Sequence, residues 1–166
     1  MTGESERSHL TASQRDALDT RDVDQDRTLD AVHQLEAALG AAAPGREPAW
    51  RRDVLAALVV LDESTTQEQR NADEPDSLLS DIARTQSRLR NRVRGVRAQY
   101  RQLRETIESL RRELTAEESN IDFADVRQRL AWLLTALRHQ RARESDLLYE
   151  AYYDAFNADV ENDAAG

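Results

Sequence analysis

The sequence predicts an all-α protein, an antiparallel up-down four-helix bundle. Three observations carry that expectation. Apolar residues recur at helical spacing along most of the 166 residues. Only five glycines and three prolines punctuate the chain, fewer than strands and tight turns need. The breakers gather at residues 40–48, at Pro75 and at 115–122, which leaves long segments joined by short connections.

Residues 1–20 are polar and carry no sustained period, so they are expected to form a disordered tail. The bundle is expected over residues 21–157, with a second disordered tail over 158–166. The first helix should run from about Asp26 to Ala42, with Leu29, Val32, Leu35 and Leu39 on one face. Gly40, Pro44 and Gly45 end it, and Pro48 suits the first turn of the second helix, where its missing N–H costs nothing. That helix should reach about Arg70 on a seam of Trp50, Val54, Leu58 and Leu61. Its second half, "DESTTQEQRNADE", is almost wholly polar. Beyond Pro75, Asp76 or Ser77 can cap a short continuation through "SLLSDI".

The third long helix is the plainest. Leu89, Val93, Val96, Tyr100, Leu103, Ile107, Leu110 and Leu114 alternate steps of four and three, an unbroken heptad seam that requires packing against other helices. "TAEESNID" closes it, and Asn120 or Asp122 can cap the fourth helix, expected from about Phe123 to Phe156. The seam of that helix is Val126, Leu130, Leu133, Leu134, Leu137 and Leu148.

Composition excludes several functions. Without cysteine there is no disulfide framework and no thiolate metal site, which fits a cytoplasmic protein. The longest apolar run, "VLAALVVL", falls far short of the roughly 20 residues that cross a bilayer. "MTGESERSHLTASQRD" has no apolar segment of the signal-peptide kind. All 23 basic residues are arginine, and the net charge of −9 disfavours general affinity for nucleic acid or anionic membranes. The arginines are nevertheless uneven: residues 84–112 hold ten of them against Glu105 and Glu108. Arg90, Arg94, Arg97 and Arg101 form a basic stripe beside the heptad seam. It would suit an acidic partner or nucleic acid, or pair with carboxylates such as Asp62, Glu63 and Glu68 on neighbouring helices. No glycine-rich phosphate loop and no Ser–His–Asp arrangement is present, so no enzymatic activity is expected.

The segments "LDAVHQLEAAL", "PDSLLSDIARTQSRLRNRVRGVRAQYRQLRETI" and "LLTALRHQRARESDLLYEAY" resemble, in order and texture, the helices of hemerythrin-like (HHE cation-binding) domains over residues 24–157. That resemblance implies an up-down bundle and, where the ligands are present, a di-iron centre that often binds oxygen. The family's pattern places a histidine on the first helix, His-x-x-x-Glu on the second, His-x-x-x-His on the third and His-x-x-x-x-Asp on the fourth. This sequence has only His9, His33 and His139, so its second and third long helices supply no imidazole, and Tyr100 stands on the seam instead. His139 and Glu144 have the fourth-helix spacing. With about 100° per residue and Leu130 at 0°, however, Glu144 falls at about 320° and His139 at about 180°, on opposite sides of the helix. A ferritin-like di-iron site needs two Glu-x-x-His pairs, and only Asp30-x-x-His33 comes near. No cofactor is therefore expected. Iron is the alternative, held at an altered site where carboxylates such as Glu63, Glu68 and Glu144 replace histidines.

Arg141 and Glu144 lie near the fourth-helix seam and should pair with each other or with a facing helix, or stay partly exposed. Tyr149, Tyr152, Tyr153 and Phe156 form a second apolar face at the end of this helix, a candidate interface for a homodimer or a protein partner. The expectation is a hemerythrin-like bundle protein with a structural or interaction role.

Overall fold

The computed structural model describes residues 10–41, 45–116, 121–153 and 164. Every regular element among them is helical. In chain order they are α1 (Ala12–Gly40), α2 (Glu47–Asp73), α3 (Leu78–Thr85), a 3-10 turn at Ser87–Leu89, α4 (Arg90–Thr115) and α5 (Phe123–Ala151). The four long helices make the bundle, and α3 is a short brace between α2 and α4.

Side-chain bonds between helices give the directions. Asn71 with Asp24 and Glu68 with Thr28 run in opposite order along α1 and α2. Arg111 with Asp62, and Arg104 with Gln69, do the same for α2 and α4. Glu113 with Arg129, and Arg92 with Glu150, do the same for α4 and α5. Arg21 with Glu144 and Arg138 with Glu36 bring α5 back to α1. Each neighbour is antiparallel, as short connections demand.

Local chemistry sets most boundaries. Pro48 lies in the first turn of α2, and the Asp122 carboxylate accepts from the Ala124 and Asp125 amides at the start of α5. The heptad seam is buried from Leu89 to Leu114.

Helix α1 corrects the expected N-terminal tail. It begins at Ala12, well inside residues 1–20, because Thr11 and Gln14 form a reciprocal capping box. Leu10 is buried, and Ala17 and Leu18 pack against the same apolar cluster. Residues 1–9 and the tail expected over 158–166, Ala164 apart, lie outside the described residues.

The core is not continuous. One apolar cluster joins Leu35, Leu58, Leu61, Ile107, Leu110 and Leu130 with their neighbours. A second joins Leu79, Ile82, Val93, Val96 and Leu147, with Leu10 and Tyr152 among its members. A layer of buried polar side chains lies at the level where the two meet.

Candidate functional site

All four long helices contribute to that layer. α1 supplies Asp24, Gln25 and Thr28; α2 supplies Thr65, Glu68 and Asn71; α4 supplies Tyr100; α5 supplies Gln140 and Glu144. Spacings of three and four residues put each set on one helical face. Asp24, Gln25, Thr65, Gln140 and Glu144 are buried, and Glu144 is only 3% exposed. Of the alternatives expected for Glu144, a pair with Arg141, a pair with a facing helix or partial exposure, the structure has the second, with the carboxylate among the most enclosed charged groups of the described residues. It pairs across the bundle, while Arg141 stays exposed.

Tyr100 is the hub. Its hydroxyl lies 2.6 Å from Oε2 of Glu144 and 2.8 Å from Oε1 of Glu68. The hydroxyl of Thr28 donates to the other Glu68 oxygen at 2.7 Å. Nε of Arg21 lies 3.3 Å from the other Glu144 oxygen. Beside them the Asn71 amide donates to Asp24 at 2.7 Å. Burial raises the Glu68 carboxyl above its ordinary range, more than the hydrogen bonds from Thr28 and Tyr100 lower it. Burial, reinforced by both carboxylates, pushes the Tyr100 phenol well above its ordinary value, so it stays protonated.

Proton counting follows from this geometry. A phenol has one proton and can donate it well to only one carboxylate. The second short contact is a hydrogen bond only when that carboxyl carries a proton and donates to the phenol oxygen. Burial raises the affinity of Glu68 for such a proton. With a proton on Glu68, the chain Thr28–Glu68–Tyr100–Glu144–Arg21 is satisfied throughout with a single buried negative charge beside a guanidinium.

Cavities open on both sides of this hub, and Glu68, Tyr100 and Glu144 line each of them. One, of about 110 Å³, has Leu29, Val32, Leu103 and Leu137 in its wall. The other, of about 590 Å³, is acidic, lined by Asp16, Asp24, Glu74 and Asp76, with Arg21 the one basic residue in its wall.

His33 and His139 are both exposed, and His9 lies outside the described residues. His139 turns away from the core while Glu144 turns into it, as the helical wheel predicts. Glu63 is also exposed, apart from the pair Glu68 and Glu144. Among the described residues no group of three or more histidine, aspartate or glutamate side chains is arranged to hold a metal ion. A phenol stands between the two buried carboxyls. These residues do not fit a histidine-ligated di-iron centre.

The aromatic end of α5 is divided. Tyr149 and Tyr153 are 52% and 47% exposed, and their rings meet edge to face with centroids 5.4 Å apart. Tyr152 is buried, which corrects its place on the outward face. Its hydroxyl donates to the Asp81 carboxylate at 2.7 Å, because α3 covers the side of α5 nearest the leucine seam. Burial, with Asp81 adding to it, pushes the Tyr152 phenol upward. Phe156 lies outside the described residues. Sequence reasoning missed Trp132, which is 66% exposed on the outer side of α5. Its signal was its wheel position, about 200°, next to His139 and opposite the seam.

The basic stripe is broken too. Arg90, Arg94 and Arg101 are exposed, but Arg97 is half-buried. Arg97 donates to Ser80 Oγ at 2.8 Å and lies 3.5 Å from Asp73. Arg90 donates to the Ala83 carbonyl at 3.1 Å. These two arginines tie the turn between α3 and α4 together. Nearby, Arg88 and Arg92 share Glu150 of α5, which holds the Glu150 carboxyl below its ordinary range.

Fold and site together define a helical-bundle protein with a hydrogen-bonded polar centre and exposed aromatics on the outer side of α5. No protein-family model matches the chain, and no curated protein or solved structure matches it. Among the described residues no helix is long and apolar enough to cross a membrane.

Proposed function

We propose that this chain is a non-enzymatic helical-bundle protein, hemerythrin-like in layout, that works as a protein-interaction module through the outer face of α5. The partner is a second copy of the chain. The observation that supports this is the exposure of Trp132, Tyr149 and Tyr153 on one helix, within about 100° of its circumference. Large exposed aromatics are uncommon on free surfaces and enriched at interfaces. From Trp132 to Tyr153 they span roughly 32 Å of helix, enough for an interface of ordinary size. Sedimentation of the full chain over rising concentration tests it. A dimer is expected, with Trp132→Ala and Tyr149→Ala together giving a monomer of unchanged Tm. A wild-type chain that stays monomeric at millimolar concentration overturns it.

The second reading is a metal-binding protein with a carboxylate-rich site, supported by Glu68 and Glu144 meeting at Tyr100. Elemental analysis of the purified chain, with an absorption spectrum, decides it. Near-stoichiometric iron that is lost in Glu144→Gln carries this reading, and metal well below one equivalent ends it.

A further inference from the structure

Most buried polar groups of the central layer have partners. The Ser64 and Thr65 hydroxyls donate to the Leu61 carbonyl, Asp24 accepts from Asn71, and both oxygens of Glu144 are engaged. Two glutamines differ. Gln25, 8% exposed, has no partner for Nε2. Gln140, 3% exposed, donates Nε2 to the Val96 carbonyl at 3.2 Å, and this bond fixes which way its amide points. Its Oε1 is left without a partner. Leaving a buried amide donor or acceptor unpaired costs about 1–3 kcal/mol each. Both side chains line the same cavity of about 110 Å³.

One glutamine thus lacks an acceptor and the other lacks a donor, beside a wall of Leu29, Val32, Leu103 and Leu137. Charge narrows what could complete them. Arg141 and Arg138, the latter paired with Glu36, also line this cavity, and a small cation offers no acceptor to Nε2 of Gln25. Glu68 and Glu144 line it as well, and with the Gln140 carbonyl they oppose an anion. Size narrows it further. An engineered apolar cavity of roughly 150 Å³ holds benzene, so this one admits about four or five non-hydrogen atoms.

We propose that this cavity binds a small uncharged carboxamide, whose carbonyl accepts from Nε2 of Gln25 and whose N–H donates to Oε1 of Gln140. The branched or short apolar part of the ligand lies against Leu29, Val32, Leu103 and Leu137. The site is independent of the α5 face and needs no second copy of the chain.

The test is a titration of the full chain with propionamide, followed by the side-chain amide resonances of its glutamines. Propionate and propylamine, of similar size but charged, serve as controls. The expected result is saturable shifts of the Gln25 and Gln140 amides with propionamide, and at least tenfold weaker response to either control. Gln25→Leu should weaken binding at least tenfold while Tm is kept or rises. Leu29→Phe, which narrows the cavity and leaves both amides intact, should do the same. Absence of saturable shifts with propionamide overturns the proposal, as does equal binding of propionate. It is also overturned by a high-resolution structure, soaked in propionamide, in which waters alone bridge the two amides.

Discussion

Tyr100 joins two carboxyls that the chain brings from helices far apart in sequence. Tyr100→Phe removes the hydroxyl that bonds both and leaves Glu68 and Glu144 without it in a buried layer. The expected loss is about 1–3 kcal/mol, read as a lower urea midpoint. Glu68 makes a prediction about pH. The folded protein holds its proton more tightly than the unfolded chain, whose carboxyl titrates near 4.5. Its contribution to stability is therefore largest near and below that value, and declines as pH rises through the raised folded value. Glu68→Gln mimics the protonated acid, accepting from Thr28 and donating to Tyr100. It should flatten this decline above pH 4.5, and an unchanged slope of urea midpoint against pH would show that Glu68 does not take up the proton. Glu144 was legible as an inward-facing residue, because its wheel position depends only on α5. Glu68 was not, because the second half of α2 is polar on every face and its period marks no buried side.

The short helix α3 is the element that organises the second apolar cluster. Ser77 accepts from the Ser80 amide at 3.1 Å and donates to the Ala72 carbonyl at 2.7 Å, so it closes the turn out of α2 and starts α3. Ser77→Ala should cost about 1 kcal/mol. Faster amide exchange should be confined to α3 and the first turn of α4, and uniform acceleration over all helices would contradict this local role. α3 also explains why Tyr152 and Tyr149 separate. Leu78 and Asp81 cover the inner side of the α5 end, where the Tyr152 hydroxyl reaches both, while Tyr149 on the outer side stays half exposed. The capping box of α1 was written in the sequence as Thr11 and Gln14. The apolar residues behind it are too few for a period, so the start of that helix was read too late.

At the scale of the whole molecule, two apolar clusters stabilise one bundle across a polar layer. Ile107 is fully buried in one cluster and Ile82 in the other. Ile107→Val and Ile82→Val should each cost about 0.5–1.5 kcal/mol and add in the double variant within about 0.5 kcal/mol. A coupling well above that, measured by urea unfolding, would mean that the layer transmits packing strain between the clusters. The polar layer does not maximise stability, since an apolar replacement of similar volume often matches or exceeds a buried charged pair. Its persistence through all four helices is the reason for seeking a ligand there.

The sequence by itself determined the helical class, the heptad face of α4, the inward seam of α5, the break at residues 40–48 and the outward turn of His139. Each of these depends on the period of a single helix or on its local caps. Only the tertiary structure decided that Glu68 and Glu144 meet at Tyr100, that Gln25 and Gln140 line one cavity, that Arg97 turns to Ser80 and Asp73, and that Tyr152 is covered while Trp132 is not. Those depend on which residues of antiparallel neighbours lie at the same height. Height is set by the packing of whole helices against one another, which the period of any one of them leaves open.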